Sequence, residues 1–194
     1  MRTVFFDIDS QLDFLFPAGA LYVPGAERIV PAIARLNRFA AAHGIPVVST
    51  ADAHAESDPE FAAWPPHCVA GTAGQHKAAA TLLERRVVVP NRECDFALDG
   101  ARQIVVEKQT VDVFQARNLG RVIESLRADG YVVYGVVTEI CVLYAARGLL
   151  RTGKPVTVVT DAIETLHAAD SRRALAEVRE NGGALATAGE ICGG

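Results

Sequence analysis

Short apolar or β-branched runs alternate along this 194-residue chain with longer segments of helical periodicity, and no other feature limits the possible folds so strongly. TVFFDID is followed by ERIVPAIARLNRFAAAHG and then IPVVSTAD. Later come RQIVVEK, NLGRVIESLRADG, YVVYGVVT, CVLYAARGLLRTG, PVTVVTDA and SRRALAEVRENGG. Near-continuous apolar strands separated by helices are the pattern of a parallel sheet covered on both faces. The sequence therefore predicts an α/β fold, a three-layer α/β/α sandwich around a central, mostly parallel sheet. Gly44, Gly130 and Gly153 each close a helical pattern just before a strand and are expected to supply left-handed helix ends. Repeats, linkers and low-complexity stretches are absent, so residues 1–194 are expected to form a single domain.

Nineteen basic and 23 acidic side chains leave a net charge of −4, which offers no electrostatic footprint for nucleic acid and little attraction to anionic membrane. No apolar run approaches the ~20 residues of a membrane-spanning helix. Cys68, Cys94, Cys141 and Cys192 form no C-x-x-C pair, and the opening MRTVFFDIDSQLDF carries acids within its apolar run, unlike a secretory leader. Free thiols in a reducing cytoplasm and a small-molecule partner are the expectation.

The stretch from Ala51 to about Asp99 interrupts the alternation. It holds Trp64, Pro65, Pro66, Gly71, Gly74 and Pro90, with one short helical pattern (HKAAATLLERR) and one strand-like run (VVVP). Long irregular segments in compact domains are commonly functional. This one carries Asp52, His54, Glu60 and His67, an N/O donor set suited to zinc, iron or manganese, although such residues are also ordinary in polar loops. Cys68 could be a soft ligand but is more simply buried.

Three strand ends supply further candidates. Asp9 and Asp13 follow the first strand in DIDSQLDF, where open parallel sheets place their sites. Either could instead cap a turn. Asp7 should share a face with Asp9 but lies deeper in the strand. Lys108 closes RQIVVEK, and Cys141 follows YVVYGVV at the start of a helical run, where the helix dipole and free N–H groups would favour a thiolate. Alone, the lysine reads as surface charge and the cysteine as a buried structural thiol. Only their convergence on one sheet edge suggests chemistry.

Together these residues resemble the isochorismatase-like cysteine hydrolases and, among them, the nicotinamidases, over nearly the whole chain. Asp9-Ser10-Gln11-Leu12-Asp13-Phe14 is similar to the D-x-Q-x-D-F opening, which implies that Asp9 is the general base. Gly135-Val136-Val137-Thr138-Glu139-Ile140-Cys141-Val142 is similar to G-x-x-T-x-x-C-V, which implies a nucleophile at Cys141, and Lys108 falls on the catalytic lysine. The resemblance further implies a cis peptide before Val137 and an oxyanion hole from the N–H groups of Val137 and Cys141. Trp64-Pro65-Pro66-His67-Cys68-Val69-Ala70-Gly71-Thr72 is similar to the W-P-x-H-C-x-x-G-T stretch of nicotinamidases. Asp52, His54 and His67 then fall on metal ligands, with Glu60 near a fourth, and Phe14 and Trp64 on the aromatics flanking the substrate ring.

The resemblance implies an amidohydrolase that converts nicotinamide to nicotinate and ammonia through a cysteine thioester, as in NAD salvage, with a divalent ion, zinc foremost. The stretch QTVDVFQARNL after Lys108 departs from nicotinamidases by lacking their tyrosine- and serine-rich segment. Another small amide or carbamoyl compound, or a metallohydrolase using metal-activated water, stays open. A homo-oligomer is expected, with Leu12, Leu15, Phe16 and Tyr22 as candidate contacts.

Overall fold

The computed structural model describes residues 2–193. Seven strands, all parallel, lie in the order β3-β4-β2-β1-β5-β6-β7. The central four are β1 (Thr3–Ile8), β2 (Val47–Asp52), β4 (Gln103–Lys108) and β5 (Gly130–Gly135). Their side chains are almost entirely buried, as expected of strands covered on both faces. The flanks are β3 (Arg86–Val89), β6 (Val156–Ile163) and β7 (Ala184–Ala186).

Helix α1 (Leu12–Leu15) is a single turn after β1, and α2 (Val30–Ala42) carries the chain from β1 to β2. Helices α3 (Leu119–Leu126), α4 (Leu143–Leu150) and α5 (Ala168–Glu180) each advance the chain in the opposite direction across the sheet. Right-handed crossovers therefore put α2 on one face and α3, α4 and α5 on the other. Packing agrees: Phe39 of α2 stacks on Phe5, and α4 packs against both β5 and α5. The direction of winding reverses between β1 and β5, the switch point at which open α/β sheets form their crevice.

The order of strands and helices matches the sequence expectation, with four corrections. HKAAATLLERR forms no α-helix, only a 3₁₀ turn at Ala79–Thr81 before β3. Its polar residues are used for tertiary contacts, with Lys77 6% exposed and bonded to the Thr50 carbonyl. Gly44 and Gly153 are left-handed (φ 69° and 74°), but Gly130 is not; Arg127 (φ 48°) ends α3 in its place. Leu15 is wholly buried and unavailable as a subunit contact. Asp7 does not join Asp9: it lies under α2 against Asn37, Ser49 and Lys77. Among the described residues no helix is long and apolar enough to cross a membrane.

Gly135 is the tightest point of the switch. It pairs with Ile8 at φ 121°, and a Cβ there would sit 2.0 Å from the Ile8 carbonyl oxygen. Gly135→Ala should therefore cost about 3 kcal/mol or more, read as a lowered midpoint in urea unfolding.

Candidate active site

The C-terminal ends of β1, β2, β4 and β5 bring Asp9, Asp52, Lys108 and Cys141 together. β1 and β2 pair through Asp7↔Ser49, beyond which side chains replace the backbone ladder. Gln11 clamps the Asp52 backbone, accepting from its N–H at 2.7 Å and donating to its carbonyl at 2.9 Å. Where the strands part, a side chain thus meets the Asp52 N–H and carbonyl.

Lys108 is 1% exposed, and its ammonium stands 3.0 Å from Asp9 Oδ2, in a short hydrogen bond with Asp52 Oδ1 and 3.8 Å from Cys141 Sγ. Burial alone would discharge this lysine, but Asp52, Asp9 and Cys141 outweigh it and hold the group above the ordinary lysine value. For Cys141 burial is the largest influence and raises the thiol well above its usual value; Lys108 opposes this while the two carboxylates reinforce it. The resting group is therefore a thiol. The thiolate expected from a helix start is not favoured, because burial outweighs both Lys108 and the position of Cys141 in the π-helical turn Thr138–Val142 that leads into α4. The Val136–Val137 bond is cis, as the motif implies. No acceptor for the Val137 N–H is found among the described residues.

Beside this cluster, Asp52, His54 and His67 place one donor atom each within 4.8 Å of one another. Whether a cation fits is tested by the histidines. His54 is fully buried, and its Nε2 has no hydrogen-bond partner and lies 4.0 Å from Asp52 Oδ1. Its Nδ1 is 3.1 Å from Asp58 Oδ2 but outside hydrogen-bond alignment. His67 turns Nδ1 to the Pro65 carbonyl at 2.8 Å, which leaves Nε2 for a ligand, and burial lowers its pKa, keeping the imidazole neutral. Burial pushes the Asp52 carboxyl up to about 7 against the pull of Lys108. A divalent cation would relieve both the orphaned nitrogen and the crowded carboxylate, so the donor set fits one. Glu60 stands outside the three-residue cluster and lines the adjacent pocket.

That pocket encloses about 380 Å³ of empty space, counted out to its mouth. Cys141, Asp52, His67 and Glu60 supply its polar wall, while Phe14 and Trp64 line it as the sequence anticipates. Sequence reasoning missed the remaining apolar wall, Leu21, Val23, Val111, Ile140 and Leu166, because only the folded chain collects these scattered residues. It also missed Phe61, whose ring packs against both His54 and His67. Asp13, flagged beside Asp9, is structural: its two oxygens accept from the N–H groups of Ala20 and Cys68. Cys68 itself is fully buried, its sulfur against the Gly74 carbonyl.

A family model described as the isochorismatase domain matches residues 3–190. The chain belongs to the isochorismatase family. Among curated relatives it is similar to the nicotinamidase of Escherichia coli (strain K12), 25% identical over 209 residues that span 93% of this chain and 92% of that one. Among solved structures it resembles the pyrazinamidase of Pyrococcus horikoshii in complex with zinc, with TM-score 0.82, 25% identity, and 96% and 99% of the two chains covered. The fold is also that of N-carbamoylsarcosine amidase from Thermoplasma acidophilum, with TM-score 0.79, 22% identity, and 97% of each chain covered.

Loading the purified protein with zinc should leave about one ion per chain after dialysis, measured by mass spectrometry of the metal. His54→Ala should reduce that to background while leaving the melting curve of the metal-free protein nearly unchanged. Equal zinc retention by the variant would remove these residues as ligands.

Proposed function

We propose that this protein is a cysteine amidohydrolase whose preferred substrate is a small aromatic carboxamide of the nicotinamide type. One observation carries the reading: the Cys141 sulfur, in the wall of a small aromatic-lined pocket, faces the ammonium of a buried lysine that is also paired to two carboxylates. Such an arrangement holds a proton acceptor, a fixed positive charge and a nucleophile within contact distance. The similarity to a nicotinamidase and to a pyrazinamidase supports the substrate class.

Asp9 takes the thiol proton as Cys141 sulfur attacks the carboxamide carbon. Lys108 keeps its proton throughout and offsets the charge gathering on Asp9 and sulfur. Negative charge on the carbonyl oxygen is received by the N–H groups of Val137 and Cys141, the former having no acceptor among the described residues. Asp9 returns the proton to the nitrogen as the C–N bond breaks, and ammonia leaves. In the second half Asp9 deprotonates a water that attacks the thioester, and the carbon–sulfur bond breaks. The thiolate recovers the proton from Asp9 and a carboxylic acid departs. Phe14 and Trp64 hold the ring, limiting its rotation relative to sulfur.

Asp52, His54 and His67 would hold the divalent ion, with Glu60 as a further donor from the pocket wall. When bound, the ion supplies Lewis acidity and a directional anchor for a ring nitrogen.

Ammonia release from nicotinamide, assayed against a panel of N-carbamoyl compounds and aliphatic amides, tests the reading. Nicotinamide should be preferred, and Cys141→Ala should lower kcat by roughly 10⁴-fold or more with the fold intact by circular dichroism. Turnover retained in the alanine variant would overturn the thioester route. Preference for a carbamoyl compound would overturn the substrate assignment.

A further inference from the structure

We infer that Thr50 is the positioning residue for the base: its hydroxyl occupies Asp9 Oδ1, so that Oδ2 is left as the oxygen that takes the Cys141 proton. This inference rests on the amidohydrolase reading and adds to it a residue that no motif marks.

After Asp7 the first strand has no backbone partner on β2, and Asp9 leaves the strand in the left-handed region at φ 46°, where a non-glycine residue needs outside support. Thr50 supplies it twice. Its Oγ1 accepts from the Asp9 N–H at 3.1 Å and donates to Asp9 Oδ1 at 2.6 Å. A carboxylate oxygen only accepts, so the single hydroxyl proton must point at Oδ1, and the lone pairs are left for the N–H. One buried hydroxyl therefore fixes both the backbone and the carboxylate plane of Asp9.

The other carboxylate oxygen is left in a different condition. Asp9 Oδ2 is buried and makes no hydrogen bond, although it stands 3.0 Å from Lys108 Nζ. The same ammonium is 3.8 Å from the Cys141 sulfur. An oxygen with uncommitted lone pairs, next to the cation that also faces the thiol, is the one able to accept a proton, whereas Oδ1 already receives a short charge-assisted bond. Thr50 is itself pinned, because its carbonyl accepts from Lys77 Nζ at 2.9 Å. Rotating the Asp9 carboxylate would break the Thr50 bond, so the base is preorganised without any contribution from substrate.

The two parts of the threonine side chain can be tested separately. Thr50→Val keeps the branched volume and removes the hydroxyl, whereas Thr50→Ser keeps the hydroxyl and removes the methyl. If Thr50 positions the base, kcat for ammonia release should fall by ~30-fold in T50V with KM within a factor of ~2, and T50S should stay within ~3-fold of the parent in both. A packing role predicts the reverse order. T50V with parental kcat, or T50S as impaired as T50V, overturns the inference. If T50V does not fold, Thr50→Ala replaces it in the comparison with T50S.

The rate of Cys141 alkylation by iodoacetamide at pH 7.5, an assay condition of roughly physiological pH, gives a readout without substrate. It should slow in T50V and be restored in T50S. Should the parent protein release no ammonia from any amide, the hydrolase reading fails while this comparison still decides the role of Thr50.

Discussion

The site depends on one buried ammonium. Lys108 lies at the end of a central strand with almost no access to water, and an isolated cation there would cost several kcal/mol of lost hydration. Asp9 and Asp52 repay that loss, and they come from the ends of the first two strands, β1 and β2. The register Asp52↔Lys108 sets the pair side by side across β2 and β4, so the sheet itself fixes the distance. Removing any one of the three charges would leave the others less compensated, so each side chain is part of the fold. Burial is the main reason that the Cys141 thiol is held above its ordinary value, with Lys108 opposing it and the two carboxylates adding to it.

Much of this architecture is legible in the sequence because periodicity is a local property. Alternating apolar runs report the strands and helices, and the polar residues at strand ends report the crevice edge. Asp9, Lys108 and Cys141 are legible from their convergence at strand ends, and Asp52, His54 and His67 from their donor chemistry, and in both sets it is the likeness to family motifs that lifts ordinary single residues into a site. Leu166 and Val111 are not legible, being ordinary apolar residues that become a pocket wall only after the loops close. Thr50 is equally silent, since β-branched hydroxyl residues are common in strands for reasons of shape. Glu139 shows the same limit: it stands inside the cysteine motif, but its carboxylate accepts from the N–H groups of Leu166 and His167 and the hydroxyl of Thr165. Its task depends on a segment more than twenty residues away.

The misread pieces have a common cause. The Lys77 segment has helical periodicity, yet its lysine is drawn into the protein by Asp7 and the Thr50 carbonyl, and tertiary contacts override propensity. Gly130 has the sequence position of a helix end but serves the approach of β5 to Pro155, whose carbonyl oxygen would lie 3.3 Å from a Cβ there. Arg127 accepts the left-handed conformation in its place. Local rules identify that a break must occur, while packing decides which residue makes it.

Asp13 ties together two loops of the pocket. Its carboxylate joins the loop after α1, through Ala20, to the metal-side loop, through Cys68, and a Cβ on Gly74 would fall 2.2 Å from its oxygens. Phe14 follows it directly, and His67 directly precedes Cys68, so the aromatic wall and a candidate ligand are tethered to one side chain. The loop that carries Cys68 is also bonded to the chain just beyond β2, where the N–H and carbonyl of His54 meet Cys68 and Ala70. Movement at Asp13 would shift Phe14 and His67 together, whereas Asp9, Lys108 and Cys141 are held at the strand ends.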